Sequence, residues 1–358
     1  MIITEVRLTP KVLPYKGEGW RISTGPIKES RMVFVEIITD KGIIGQGCTS
    51  SGPPFISGES QESIVSIVEN VFSKQLIGKS PYDVEQIMAQ LDKAAYMNYR
   101  AKAGVDMALF DLIGKSLGVP VQNILGSSQR KNIPVMRLIG LKEPDDMAAD
   151  AQTLVDQGYK ALKIKIGENK PVDIKRVEAI RSKIPGDIAL TLDLNCAYRP
   201  KEAIELMNEL TQFNISLVEQ PVNRDDIEGL AFVRENTRIP IEVDESVITL
   251  ADAARIARLG AADFISVKLL KMGGIHKAKK IAAVCEAFGI GCVLGTTPGS
   301  QLIDIASAHF FLSTANIWWA AEIGEFIRMQ DDPVSGLELK EGCLEIPEGP
   351  GFGVSIRY

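Results

Sequence analysis

Six ionisable side chains recur along this chain at nearly even intervals. From Lys163 the successive steps to Asp193, Glu219, Asp244 and Lys268 are 30, 26, 25 and 24 residues, with Lys165 two places beyond the first. Each step is about the length of one strand, one helix and their turns. Histidine is nearly absent, His276 and His309 being the two in the chain, so acid–base chemistry falls to lysine or carboxylate. Three carboxylates without His or Cys make a hard oxygen donor set, which suits Mg2+ with water or substrate oxygens completing its octahedron. Without a cation, three anions at close quarters would raise one another's pKa. Asn195, two residues past Asp193, can orient a ligand.

Lys163 and Lys165 sit in the run Leu162-Lys-Ile-Lys-Ile166, and the period of two in a strand puts both on one face. Adjacent ammoniums lower each other's pKa, which leaves one able to act as a base near neutral pH. Lys268 comes four repeats later. In a ring of eight strands the second and the sixth are opposite, so a carboxylate substrate on the metal would meet a lysine on each face. Chelation makes its α-proton acidic by stabilising the enediolate that forms. One lysine removes that proton. The opposite one can return a proton to the other face, giving racemisation or epimerisation, or assist the departure of a β-group.

Bringing these groups together requires a repeating scaffold. From Ile133 onward short apolar strands alternate with amphipathic helices. Strands are read at Ile133–Ile139, Ala161–Ile166, Ile188–Leu194, Ser216–Val218, Ile241–Val243, Phe264–Val267, Gly291–Leu294 and about Ile317–Ala321. Seven helices fill the gaps. This pattern predicts an α/β fold, a parallel TIM barrel with its last helix replaced or displaced, whose strand C-termini converge on one mouth. An open doubly wound sheet would want a glycine-rich phosphate turn after the first strand, and Ile139-Gly140-Leu141-Lys142 does not supply one.

The preceding 130 residues differ: strands at Ile2–Leu8, Met32–Thr39 and Ile43–Gly47, then helices at Glu62–Leu76, Asp83–Ala94 and Ala101–Leu117. That order predicts an α+β domain. Its segments Tyr15–Pro26 and Thr49–Gly58 read as lid loops, the first mobile through Gly17 and Gly19, with Trp20 and Phe55 able to close over a substrate. The expected division is a capping domain over 1–130, a catalytic barrel over 131–325, and a segment 326–358 returning to the cap.

Composition excludes other classes. The 358 residues are 24% charged and 45% hydrophobic with a net charge of −6, which argues against disorder. The absence of a basic stripe argues against nucleic acid. No apolar run reaches the length of a membrane span, and the start lacks the layout of a signal peptide. Five scattered cysteines read as reduced thiols in a cytoplasmic protein. His309 reads as a packed core histidine, His276 as solvated, and Trp318 and Trp319 as residues of the barrel mouth, one of them able to wall the pocket.

Taken together, Lys163-Ile-Lys165, Asp193-x-Asn195, Val218-Glu-Gln-Pro221, Asp244-Glu-Ser246 and Lys268-x-x-Lys-x-Gly-Gly274 resemble the muconate-lactonising subgroup of the enolase superfamily. The resemblance covers essentially the whole chain. It implies a modified (β/α)7β barrel under an N-terminal α+β capping domain, and Mg2+ on Asp193, Glu219 and Asp244. It also implies Lys165 and Lys268 as the acid–base pair, and Lys163 against the substrate carboxylate, depressing the pKa of Lys165. Ile56-Ser-Gly-Glu-Ser60, the helix Ala101–Leu117 and Arg199-Pro-Lys-Glu-Ala203 look most like dipeptide epimerases, with Glu322 standing in for one acid of the Asp-x-Asp pair that those enzymes place on a substrate ammonium. Ile305–Phe310 through Trp319-x-x-Glu322 looks instead like muconate cycloisomerase. After the seventh strand, where both families usually carry Glu, this chain has Thr297-Pro-Gly299.

The reaction expected is Mg2+-dependent removal of the proton α to a carboxylate, in a racemase or epimerase of an amino-acid derivative or dipeptide. The alternative is a muconate-type cycloisomerase or a syn-elimination lyase on the same scaffold. The expected partner is a small carboxylate, without nucleic acid or membrane, and the expected assembly is a homo-oligomer.

Overall fold

The computed structural model describes residues 1–17, 20–22, 25–52, 57–127 and 132–357, with the side chains of 20–22, 25 and 26 outside that description. Strands Ile3–Pro14, Glu29–Thr39 and Ile44–Ser50 form an antiparallel sheet with Glu29–Thr39 central. The alternation of that central strand is put to two uses. Val33, Val35 and Ile37 pack against Ile64, Leu109 and Leu112 in the core of the cap. Met32 and Phe34, on the other face, join the core of the barrel. A strand apolar on both faces is what a sheet covered on both sides demands. Helix Tyr99–Leu117 is buried nearly all round for the same reason: Val105 and Leu109 belong to the cap core, Ala103 and Met107 to the barrel core.

Seven parallel strands follow in chain order: Met136–Ile139, Ala161–Lys165, Ala189–Asp193, Leu217–Glu219, Ile241–Val243, Phe264–Val267 and Gly291–Leu294. An eighth closes the ring as paired backbone. Trp318 N–H donates to Cys292 O at 2.6 Å and Glu322 N–H to Leu294 O at 2.8 Å on one side, while Met136 N–H donates to Ala321 O at 2.8 Å on the other. A short 3-10 turn, Glu325–Arg328, takes the place of an eighth long helix.

Inside the ring, side chains stack in layers two residues apart. Met136, Ala161, Leu217, Val293 and Ala320, with Ala189, Phe264 and Trp318, form an apolar plug at the strand starts. Two residues further along, the strands carry Lys163, Thr191, Glu219, Glu242, Ser266 and Glu322, and a further step brings Lys165, Asp193, Asp244 and Lys268.

Some local expectations are corrected. Trp318 and Trp319 lie at the end of the barrel opposite its mouth. The Trp318 ring meets Phe264 edge-on at 5.2 Å, because both residues open their strands and strand direction puts openings at the bottom. Ile133–Pro134 leaves the barrel to pair with Cys343–Glu345 of the C-terminal hairpin. The first lid contains a strand pair, Trp20–Ile22 with Gly25–Ile27, and the cap strand runs on to Ser50 through the start of the second. His276 pairs with Glu85 through Nε2–Oε2 at 2.7 Å. His309 is 1% exposed and accepts from Gln122 N–H at 3.2 Å, a core histidine as expected. The tail packs on the cap: Phe352 N–H donates to Asp111 Oδ1 at 2.8 Å and Ile356 N–H to Gln46 Oε1 at 3.2 Å. All five cysteines are free, and among the described residues no helix is long and apolar enough to cross a membrane.

Candidate active site

The parallel register delivers the charges. Lys165 is the Cα partner of Asp193, Asp193 of Glu219, and Glu219 of Glu242, so one row of the sheet carries four ionisable groups on neighbouring strands. Asp244 stands one pleat above Glu242, and Lys268 follows the end of the sixth strand. The second and sixth strands stand opposite each other in the closed ring, and Lys165 and Lys268 lie at their C-terminal ends.

Each carboxylate is drawn to a lysine. Lys165 Nζ donates to Asp193 Oδ2, and to Asn195 Oδ1 at 3.0 Å. Lys268 Nζ donates to Asp244 Oδ2 at 2.6 Å, and Lys271 Nζ to the other oxygen of the same group at 2.6 Å. Lys163 pairs with Glu219 Oε2 and, at 2.5 Å, with Glu322 Oε2. Among the described residues no three acid side chains converge on one point. Asp193, Glu219 and Asp244 nonetheless sit on three consecutive strand ends, all buried, and Glu219 Oε1 has no hydrogen-bond partner.

Electrostatics follow from burial and neighbours. Burial raises the Asp193 carboxyl, but the Lys165 and Lys163 ammoniums outweigh it and hold the group below its usual range. Asp244 is held far down: burial is overcome by Lys268 and Lys271. Lys163 departs from the sequence expectation. Burial lowers its pKa, yet Glu322, Glu242 and Asp193 prevail and push it above the ordinary lysine value, because acids on distant strands crowd around it. Glu242 has neither oxygen hydrogen-bonded; burial, against the pull of Lys163, pushes it up to about 7.

The motif residues between these groups hold the frame. Gln220 is fully buried, its Oε1 accepting Asp244 N–H at 3.0 Å and its Nε2 donating to Ser246 Oγ at 2.7 Å, which ties the fourth strand end to the fifth. Gly295 leaves room for a catalytic candidate: a Cβ there would stand 2.7 Å from Lys268 Cε. Gly274, at φ +111, lets the cap touch the barrel, since a Cβ would lie 2.3 Å from Asp106. Asp106 accepts Ile275 N–H at 2.5 Å at the start of helix Ile275–Ala287, favourable against the helix dipole.

The expected substrate contacts are placed unevenly. Asn195 lies beside Lys165 and donates to Glu245 Oε1 at 3.1 Å. Glu322 is 4% exposed and turned to Lys163. Thr297 is half-buried in the loop after the seventh strand, where Ser30 Oγ of the cap donates to Pro298 O at 3.1 Å. Phe55 and the side chain of Trp20 lie outside the described residues. Sequence reasoning passed over Glu242, Glu245 and Lys271. The last two stood inside quoted motifs, and Glu242 was findable as the residue two places before Asp244.

Residues 3–126 match the mandelate racemase / muconate lactonizing enzyme N-terminal domain, and residues 146–358 match the enolase C-terminal domain-like family. The chain belongs to the mandelate racemase / muconate lactonizing enzyme family of the enolase superfamily. It is 37% identical over 360 residues to a hydrophobic dipeptide epimerase from Enterococcus faecalis, covering 99% of this chain and 100% of that one. It is 35% identical over 356 residues to an L-Ala-D/L-Glu epimerase from Clostridium acetobutylicum, covering 99% of each. The structure of the Enterococcus faecalis V583 dipeptide epimerase complexed with Mg and the dipeptide L-Leu-L-Tyr superposes with a TM-score of 0.94 at 35% identity, covering 99% of this chain and 100% of that one. In this enolase-superfamily chain the strands of the mouth and the residues just after them carry, among the described residues named above, six acids (Asp193, Glu219, Glu242, Asp244, Glu245, Glu322) and four lysines (163, 165, 268, 271), a formal charge of 4 − 6 = −2 with all ionised.

Proposed function

We propose that this protein is a Mg2+-dependent racemase or epimerase that moves the proton α to a carboxylate, with a dipeptide or another amino-acid derivative as substrate. The observation that carries the reading is the placement of Lys165 and Lys268 on the second and sixth strands of the ring. Residues 1–130 form its cap, 131–325 its barrel and 326–358 the returning tail.

Asp193, Glu219 and Asp244 would hold the metal: an all-oxygen set on consecutive strand ends, one of whose oxygens lacks a partner, fits a hard divalent cation. Bound Mg2+ supplies positive charge against the negative charge that grows on the substrate carboxylate as the α-proton leaves. Lys165, as the amine, takes the proton from one face, steadied by Asn195. Lys268, as the ammonium, gives a proton to the other face, and the roles exchange for the opposite enantiomer. Lys163 stays charged and lends a fixed cation beneath the carboxylate. Asn195, Glu322, Thr297, Trp20 and Phe55 remain the residues proposed to frame the substrate.

Charge balance favours a substrate that carries both a carboxylate and a cationic or neutral partner group. With Lys165 as the neutral amine and Glu242, pushed up to about 7, in its protonated form, these groups sum to 3 − 5 = −2, which a divalent cation brings to zero. A dicarboxylate such as muconate would restore two uncompensated charges in a buried site, which is costly. Incubating the Mg2+-loaded enzyme in D2O with a panel of dipeptides and N-acyl amino acids should place deuterium at the α-carbon of both epimers. Absence of exchange across the panel would overturn the reading. Rapid turnover of muconate without such exchange would favour cycloisomerisation.

A further inference from the structure

The loop after the seventh strand is held from three directions, and none of the grips belongs to the reacting groups. Ser30 Oγ of the cap donates to Pro298 O at 3.1 Å. Asp332 of the tail accepts from Ser300 Oγ at 2.8 Å and from Gln301 N–H at 2.7 Å. From behind, Asp304 Oδ1 accepts from Thr296 Oγ1 at 3.0 Å. Asp304 lies in the first turn of helix Gln301–Leu312 and is 3% exposed, a placement in which the helix dipole favours its negative charge.

The same carboxylate also reaches the eighth strand. Its Oδ2 accepts from Gly324 N–H at 3.0 Å, where the chain, at φ +99, turns away from the barrel two residues past Glu322. Asp304 thus bridges the loop that carries Thr297 to the strand exit that carries Glu322, both proposed above to frame the substrate. A buried carboxylate is costly to hold unless its oxygens are hydrogen-bonded, and here each oxygen is bonded to a different loop. Burial, with Glu325 nearby, pushes the carboxyl up to about 7.

The reacting groups are fixed by other means. Gly295, against which Lys268 packs, is anchored by its own N–H on Val267 O at 2.9 Å, and Glu322 N–H is bonded to Leu294 O. Loss of the bridge should therefore move the loop edge of the pocket and leave Lys268 in place.

We propose that Asp304 is a positioning residue for substrate recognition, setting the distance between the loops after the seventh and eighth strands and with it the fit of Thr297 to the substrate. It acts through Thr296 and Gly324 and touches no reacting atom, and the proposal rests on the racemase or epimerase reading above. A group that shapes binding alike in the ground state and the transition state shows as a raised KM at constant kcat.

The test is steady-state epimerisation by the full-length, Mg2+-loaded protein at a pH well above 7, with the substrate that the wild type deuterates fastest. Thr296→Val keeps the shape, removes the donor, and should raise KM about tenfold, as for one lost hydrogen bond to a charged group. Its kcat should stay within about twofold of the wild type. Thr296→Ser keeps the hydroxyl and should return KM to within about twofold. Asp304→Asn offers one acceptor oxygen in place of two and should raise KM similarly, with the Gly324 amide exchanging faster in D2O. The proposal is overturned if Thr296→Val and Asp304→Asn both keep the wild-type KM, if Thr296→Ser is as impaired as Thr296→Val, or if kcat falls while KM holds. A wild type that deuterates no substrate would overturn the reaction reading and this proposal with it, so the protein that fails tells the two failures apart.

Discussion

The two ends of the barrel are built by the same strands and obey opposite rules. Ala161 and Ala189 open their strands in an apolar plug with Leu217, Phe264 and Trp318. Four residues later the same two strands end in Lys165 and Asp193, joined to each other. At the bottom, small and large apolar side chains exclude water and hold the ring together. At the mouth, Asp193, Glu219, Asp244 and Glu322 are paired with lysines while Glu242 has no hydrogen bond, and buried ion pairs are poor evidence for stability, since desolvation cancels much of their attraction. The contrast separates the duties: the plug carries stability and the mouth carries reactivity.

The largest effect expected from breaking that division is at the mouth. Lys268→Ala should lower epimerisation by about 10³-fold or more, within the range for losing a positioned acid–base group. Exchange in D2O of the enantiomer that faces Lys165 should persist. Chiral chromatography together with NMR of the α-proton checks both halves, and loss of exchange for both enantiomers would point to a role beyond one face. At the other end, Leu217→Ala should destabilise the fold by about 2–5 kcal/mol, as for a buried leucine that leaves a cavity. Below its melting temperature kcat should stay within about twofold, because a plug residue makes no contact with reacting atoms. Urea melts and steady-state kinetics on the same preparation decide it. A kcat that fell with stability would show that the plug tunes the mouth.

Much of this contrast was legible in the sequence, for a physical reason. Alternation of two along a strand and a repeat of about 25 residues are local properties, and together they place Lys165, Asp193, Glu219, Asp244 and Lys268 at strand ends without any knowledge of contacts. What happens across the ring is not local. Nothing near Lys163 in sequence announces Glu322, 159 residues away, so the pKa of Lys163 was expected to move the wrong way. Glu242 is flanked by Ile241 and Val243 and reads as ordinary alternation until the closed ring shows that its inward face is the polar layer. Trp318 and Trp319 were misplaced because their nearness to Glu322 along the chain outweighed strand direction, although four residues of strand, at about 3.3 Å each, span much of the barrel's height. The lid hairpin carries too few residues to show a period at all.

Asp106 tests whether the contrast concerns ends of the barrel or use in chemistry. It is ionisable, fully buried and close to the Lys268 loop, yet its partners are backbone N–H groups of Ile275 and His276, which is an architectural duty. Burial pushes its carboxyl up to about 8, against about 3.9 in an unfolded chain. A group whose folded pKa is raised contributes stability that is fully present below the unfolded value and lost as pH climbs through the folded one. The contribution of Asp106 should therefore be intact near pH 4, decline between about pH 4 and pH 8 by up to about 1.4 kcal/mol per unit, and level off above. Asp106→Asn keeps an acceptor for the helix N-terminus and cannot ionise. Unfolding free energies measured in urea at pH 5, 6, 7, 8 and 9 should show the wild type losing ground to the variant at each step up to about 8, with kcat of the two equal at pH 7. Parallel stability curves would mean that the helix N-terminus already stabilises the ionised carboxylate in full. A changed kcat would mean that the joint between cap and barrel shares in the chemistry, and the division between stability and reactivity would then fail at the mouth.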